Sequence, residues 1–266
     1  IELSDFFNNP SLIEIGWLRI QYYAVTWVLS AIFIFQYLKS HRIIRELQLT
    51  TEQVNDIVFL YGLIFGAMLG GRFGYMFFYG LDQLASNTLS LFFIWEGGLS
   101  FHGGLIGVIV SLYFYSYQHK ISFLRLADSI CAAMPIGLGL VRIGNFLNGE
   151  LYGRPTDGNW GFIFPTDPYG FTRHPSQLYE AVFEGLVLFM LLIFISTKSN
   201  KHGVISGSFL LAYGLIRFFI EYFRQPDSHM GFVALQLSMG QLLSIPMVII
   251  GLILLTKSLR QNETIS

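Results

Sequence analysis

The chain has 266 residues, 53% of them hydrophobic and 17% aromatic, with a net charge of -1. Only 12% are charged, against about 25% in soluble globular domains, which argues against a soluble enzyme. Near-neutrality without a Lys/Arg block excludes nucleic acid as the main partner, and the single Cys131 excludes an intramolecular disulfide or a thiolate metal cluster.

Apolar runs that approach the roughly 20 residues of a bilayer crossing fall at 20–38, 56–79, 99–117, 126–147, 178–196, 203–223 and 237–256. They predict an all-α polytopic membrane protein of about seven transmembrane helices, folded as one domain over 1–266. The first run has no small-residue cleavage site after it and reads as a retained span, not a signal peptide. In the second, Gly62, Gly66, Gly70 and Gly74 recur every four residues, the spacing that lets helix backbones approach closely in lipid. A Gly-rich interruption within 88–117, with a separate short apolar segment at 91–95, makes the third and fourth runs the least regular. Irregular backbone at membrane depth usually lines a cavity.

Orientation follows from the basic residues between the runs. One side carries nine: Lys39, Arg42, Arg45, Lys120, Arg125, Lys198, Lys201, Lys257 and Arg260. The other carries four: Arg19, Arg154, Arg173 and Arg224. The N-terminus is therefore expected outside and the C-terminus in the cytoplasm. The connection 148–177 then lies outside, and its Trp160, four prolines and five glycines predict a small structured lobe. No internal repeat is visible, which counts against a transporter built from inverted repeats.

Three arginines, Arg72, Arg142 and Arg217, fall within or at the end of apolar runs, where each costs at least roughly 2.5 to 3.5 kcal/mol and demands a partner or an anionic ligand. Tyr213, Arg217 and Glu221 are spaced by four and line one helix face. Either Glu221 merely neutralises Arg217, or Glu221 and Tyr213 orient the guanidinium fork toward a phosphate. Arg224 and Asp227 follow in the run FRQPD. Arg142, Asn145, Asn148 and Glu150 form the densest polar cluster, with Gly144, Gly149 and Gly153 allowing a helix end or close backbone approach. Cation, amide and carboxylate at interfacial depth suit a phospholipid headgroup, although a helix end bonding to itself is the simpler account.

His102 lies between Gly97, Gly98, Gly103 and Gly104. A lone histidine is more often a satisfied core residue, but the glycines suggest tight turns or close ligand approach, and imidazole suits general-base work near neutrality. In RHPSQLYE, Pro175 is placed to start a helix and Ser176 to cap it. Tyr22 and Tyr23 have the position of interfacial anchors. The sequence has no HExxH, GxSxG, Walker or Rossmann pattern, and no mid-span lysine in the last run for retinal.

The blocks SFHGGLIGV (100–108), GRFGYMFFY (71–79), RIGNFLNGELYGRP (142–155), RHPSQLYE (173–180), YGLIRFFIEYFRQPD (213–227) and SMGQLLSIPM (238–247) together resemble the prolipoprotein diacylglyceryl transferases, in the family's order. The resemblance implies a bacterial inner-membrane enzyme, expected to be a monomer. Its partners would be phosphatidylglycerol, membrane lipid and the lipobox cysteine of a prolipoprotein signal peptide. A thioether forms and glycerol phosphate leaves, with no cofactor and no metal required.

By position the resemblance makes His102, Arg142, Arg217 and Glu150 catalytic candidates. Arg142, Asn145, Tyr23, Gly153, Tyr213 and Glu221 become substrate-binding candidates. His102 is the leading base and Glu150 the second, while Tyr23 or an arginine-bound water would also fit. Ala24 stands where the family commonly has glycine, and the loop after Gly161 is short, which bears on docking of the protein substrate. A lipid or anion transporter would use the same arginines without bond cleavage, and a structural scaffold would leave them unexplained.

Overall fold

The computed structural model describes residues 11–15, 18–94, 97–158, 160–226, 232–234 and 237–260. The last residue of the segment 91–95, Asp227 and the side chain of Arg19 lie outside the described residues. A hairpin of β1 (Ser11–Ile15) and β2 (Leu18–Gln21) leads into α1 (Tyr22–Ser40), followed by the short α2 (Arg42–Glu46). The chain continues through α3 (Thr51–Phe78), α4 (Leu81–Ser86), α5 (Phe101–Gln118) and α6 (Phe123–Leu147). After the small pair β3 (Phe162–Ile163) and β4 (Thr172–Arg173) come α7 (Ser176–Lys198) and α8 (Val204–Ile220). The pair β5 (Phe232–Ala234) and β6 (Leu237–Ser238) precedes α9 (Met239–Arg260).

Each apolar run is matched by a helix of 17 to 28 residues. Four of these, α3, α6, α7 and α9, are long and apolar enough to cross a membrane, and α8 is a shorter apolar helix. The chain divides into two compact units, residues 1–34 with 127–266 and residues 35–126, the boundaries falling inside α1 and α6.

In unit 35–126, α3 starts with a capping box: Gln53 N–H donates to Thr50 Oγ1 at 3.3 Å and Thr50 N–H donates to Gln53 Oε1 at 2.9 Å. Glycines then bring α3 against α5. A Cβ added at Gly70 would lie 2.8 Å from Gly107 Cα, and one at Gly74 would lie 2.6 Å from Gly103 Cα. The expected glycine seam is therefore real at Gly66, Gly70 and Gly74. Gly62 does not share it, because a Cβ there would meet the carbonyl oxygen of Ile57 in its own helix, at 2.9 Å. Gly103 faces Gly70 and Gly74 and Gly104 faces Ala67, which corrects the expectation of turns there: both are helical packing positions. Only Gly97 and Gly98, with φ of 80° and 68°, make the turn before α5. The short segment expected at 91–95 overlaps a 3-10 turn at Thr88–Phe92.

Arg72 closes the same end of this unit. It is 1% exposed, and its Nε and Nη2 donate to Ser90 O at 3.2 and 2.7 Å while Nη1 donates to Gly97 O. The partner that the sequence demanded is thus supplied at least in part by backbone carbonyls. At the opposite end, Arg125 pairs with Glu46, and the buried His41 caps α2 by accepting from Ile43 N–H at 3.4 Å.

In the larger unit, Ser30 Oγ donates to Thr26 O at 2.6 Å and to Gly137 O at 3.0 Å, tying α1 to α6. A Cβ at Gly139 would come within 3.1 Å of Gly185 Cα, so α6 and α7 meet backbone to backbone. A Cβ at Gly207 would lie 2.8 Å from Leu255 N, which sets the α8–α9 contact. The buried carboxylate of Asp128 accepts from Gly203 N–H (2.7 Å), Ser206 N–H (2.8 Å) and Ser206 Oγ (2.7 Å), placing a negative charge on the N-terminus of α8.

Gly103→Val should overpack the glycine seam and destabilise the protein by about 1 to 3 kcal/mol or more, seen as a lower thermal midpoint in detergent. An unchanged midpoint would contradict the close backbone approach. A second outcome concerns pH. Burial, then the charges of Arg42 and Arg125, push His41 down to about 4 from its ordinary 6.5. The unfolded chain therefore binds the extra proton between these values, so the contribution is complete above about pH 6.5 and is lost as pH falls toward 4. At about 1.4 kcal/mol per unit this is worth up to about 3 kcal/mol. Thermal unfolding between pH 7 and 4.5 should show a steeper fall for the native chain than for His41→Asn, which keeps a capping side chain.

Candidate functional site

The site is built where α6, α7 and α8 bring opposite charges into an apolar setting. α6 runs unbroken to Leu147, so Arg142 and Asn145 project from one face as the spacing predicts. The helix then stops at Gly149, whose φ of 65° permits the left-handed cap. Gly149 N–H donates to Phe146 O at 2.9 Å and Glu150 N–H to Asn145 O at 3.0 Å, the paired bonds of a Schellman ending. Asn145 Nδ2 donates to Glu150 Oε1 at 2.9 Å, so the cluster 142–150 does bond to itself in part.

α7 begins one residue after Pro175. Ser176 does not cap it, contrary to expectation: its hydroxyl donates to Leu151 O at 3.2 Å, while Gln177 Nε2 donates to Glu150 O at 2.7 Å. These two bonds tie the start of α7 to the end of α6. One turn later Glu180 and Glu184 face α6 and α8, and both side chains are 0% exposed.

The arginines meet these carboxylates. Arg142 Nε lies 2.6 Å from Glu180 Oε2 and 3.9 Å from Glu184 Oε2. Arg217 Nη1 lies 3.2 Å from Glu180 Oε1 and 3.4 Å from Glu184 Oε1, and its Nη2 pairs with Glu221. Arg224 Nη1 is 3.8 Å from Glu180 Oε1 and its Nε is 4.0 Å from Glu221 Oε1. Glu221 Oε2 also accepts from Ser238 Oγ at 2.7 Å. A Cβ at Gly240 would collide with the Glu221 carboxylate, so that glycine keeps the space open. Three arginines and three glutamates thus share one low-dielectric region with balanced charge. The guanidinium of Arg142 is used unevenly. Its Nε faces the carboxylates, but neither terminal nitrogen has a hydrogen bond or ion pair among the described residues, and the side chain is 18% exposed.

Other predicted residues gather around this cluster. Tyr213 lies one turn before Arg217, stacked on Phe209 with centroids 5.6 Å apart. A Cβ at Gly144 would lie 3.2 Å from Tyr23 Cα, so the start of α1 backs onto the Arg142 turn. Gly153 is required by the backbone: its N–H donates to His174 O at 2.8 Å, and an added Cβ would sit 2.6 Å from that oxygen. The 148–177 lobe is structured, as expected. Arg173 donates to Asp167 through Nε (2.8 Å) and Nη2 (2.9 Å), and its guanidinium lies 5.1 Å from the centre of the Tyr152 ring. This pairing holds the Asp167 carboxyl below its usual range. Arg154 joins the lobe to the end of α8 through Arg224 O at 3.0 Å and Glu221 O at 3.3 Å.

His102 belongs to the other unit, as the exposed second residue of α5, whose N-terminus is capped by Ser100 Oγ accepting from Gly103 N–H at 3.3 Å. The residues that the sequence reading passed over are Glu184 and Ser238. The signal for Glu184 was present: two carboxylates four apart inside an apolar run need cationic partners as surely as the arginines need anionic ones.

Arg217→Leu should leave excess buried negative charge and cost about 3 to 5 kcal/mol. Adding Glu184→Gln should recover part of that loss in thermal unfolding. Independent, additive losses would mean that the two side chains do not share one charge balance.

Comparison with known proteins gives this cluster its setting. The family model described as prolipoprotein diacylglyceryl transferase matches residues 10–257. The chain is 47% identical over 244 residues to the phosphatidylglycerol–prolipoprotein diacylglyceryl transferase of Geobacter sulfurreducens, covering 92% of this chain and 93% of the relative. Proteins of the same description from Pseudoalteromonas atlantica and Blochmanniella floridana are 45% and 43% identical, covering 96% and 93% of this chain and 91% and 94% of their own lengths.

Proposed function

The chain belongs to the prolipoprotein diacylglyceryl transferase family, and from that membership we propose that its arginine–glutamate cluster is where phosphatidylglycerol gives up its diacylglyceryl group to a prolipoprotein cysteine. The protein is a multi-pass membrane transferase of lipoprotein biosynthesis. We further propose that it crosses the bacterial inner membrane seven times, N-terminus outside and C-terminus in the cytoplasm, and works as a monomer with 1–266 acting as one domain.

In the reaction the cysteine sulfur attacks the glyceryl carbon of the lipid, the carbon–oxygen bond to phosphate breaks, and glycerol phosphate leaves with the electron pair. The thiol proton needs an acceptor, because the thiolate is the nucleophile. His102 fills that role, with Glu150 as the second candidate. Charge grows on the departing phosphate, and donors already fixed in a low-dielectric setting stabilise it without reorganising. The observation that carries this reading is the Arg142 guanidinium, held by Glu180 through Nε while its terminal nitrogens remain available. Those two nitrogens form the fork that suits a phosphate. Arg217 supplies a second cation, positioned by Glu221 and by the Tyr213 face of α8. Asn145 and Glu150 bind headgroup hydroxyls, Tyr23 borders the same space, and Gly153 keeps the lobe backbone close.

The test is a detergent assay with phosphatidylglycerol and a lipobox peptide, following peptide mass and released glycerol phosphate together. The peptide should gain one diacylglyceryl unit, and nothing when its cysteine is serine. Arg142→Ala should lower the rate by about a hundredfold or more in protein that still folds, whereas Cys131→Ser should react normally. An unmodified peptide with lipid still bound, beside an active relative, would favour transport of the lipid instead.

A further inference from the structure

The seam between α6 and α7 holds an excess of buried hydrogen-bond acceptors. Asn145 Oδ1, Asn148 Oδ1, Gln177 Oε1, Glu184 Oε2 and both oxygens of Glu180 are shielded atoms that accept no hydrogen bond from the described residues, although the glutamates are ion-paired with the arginines. Gln177 and Glu184 are 0% exposed and Asn145 is 3% exposed. An atom buried in this way forfeits its hydrogen bonds to water, so such a set is a strong demand for donors. Contacts at the end of α6 link part of this set. Gln177 Nε2 bonds Glu150 O, Asn145 Nδ2 bonds Glu150 Oε1, and Glu184 Oε2 lies 3.9 Å from Arg142 Nε. Glu184 Oε2 therefore lies beside the Arg142 guanidinium, with Asn145 one turn further along α6.

A phosphate satisfies the arginines but not the acceptors, since a phosphodiester carries no proton to donate. Hydroxyls attached next to that phosphate satisfy both. We infer that the α6–α7 seam is a diol-reading subsite, in which Glu184 and Gln177 accept from the free hydroxyls of the lipid's glycerol headgroup while Arg142 holds its phosphate. This rests on the transferase reading and adds to it the residues that select the headgroup. Glu184 then has a second task besides balancing Arg217: it separates a hydroxylated headgroup from one of equal charge and similar size that lacks hydroxyls. A site built to bond a substrate hydroxyl rejects the analogue without it strongly, because the buried groups stay unpaired.

The experiment compares transfer to the lipobox peptide from phosphatidylglycerol and from phosphatidylpropanol, which has the same charge and three headgroup carbons but no free hydroxyl. The full chain in detergent should show a kcat/KM ratio of at least about tenfold in favour of phosphatidylglycerol, and Glu184→Gln should shrink that ratio at least threefold. A native ratio below about twofold overturns the subsite, whether or not any variant folds. Equal loss with both lipids in Glu184→Gln, leaving the ratio intact, also overturns it and assigns Glu184 to the arginines alone. Transfer from neither lipid by the native chain, beside an active relative in the same detergent, removes the transferase reading and the subsite with it.

Discussion

Charge balance in a medium of low dielectric constant governs this molecule. An isolated guanidinium or carboxylate inside an apolar bundle is prohibitively unstable, so Arg142, Arg217 and Arg224 persist only because Glu180, Glu184 and Glu221 face them. The full set of pairs cannot be made by any one helix. It needs α6, α7 and α8 at fixed distances, and glycines in and around the cluster help to set them: Gly139 against Gly185 between α6 and α7, Gly144 against the first turn of α1, and Gly240 of α9 beside Glu221. The lobe adds a rim, bonded through Arg154 to the backbone at the end of α8. The result is a set of cations held in fixed positions by their partners, the kind of preorganisation that the proposed stabilisation of a leaving group requires.

The two fates of buried arginine make the distinction between structure and chemistry concrete. Arg72 directs all three kinds of its nitrogen at carbonyl oxygens of the 90–97 connection and serves as a staple. Arg142 is tethered at one nitrogen, and its fork makes no hydrogen bond or ion pair among the described residues. From the sequence both are arginines at or within an apolar run, Arg142 with polar neighbours at 145, 148 and 150. What separates them is the set of acceptors that the fold happens to place nearby.

That difference marks the limit of what the sequence disclosed. A helix for each apolar run, and the lobe, follow from hydropathy and turn residues, because a long apolar stretch satisfies its backbone most simply as a helix. The glycine spacing of α3 announced a close contact but not its partner, which lies more than 25 residues away in α5. Gly62 misled because spacing alone does not say which turn meets a neighbour. The pairing of Tyr213, Arg217 and Glu221 was legible, being local to one helix. The bonds from Arg142 and Arg217 to α7 were not, since they depend on how three helices pack, and Ser176 found a carbonyl in the lobe in place of the cap its position suggested.

The order of the charged residues along the chain has a consequence for how the protein is made. Synthesis delivers Arg142 first, then Glu180 and Glu184, then Arg217, Glu221 and Arg224. The running charge of the cluster goes from one positive to one negative, to zero, to one negative and back to zero. At no stage does a growing bundle hold more than a single unbalanced charge, so each helix that enters the bilayer finds an opposite charge waiting or brings one for its predecessor. An order with all three arginines ahead of the glutamates would compose the same finished cluster, yet would require a bundle carrying three uncompensated cations along the way.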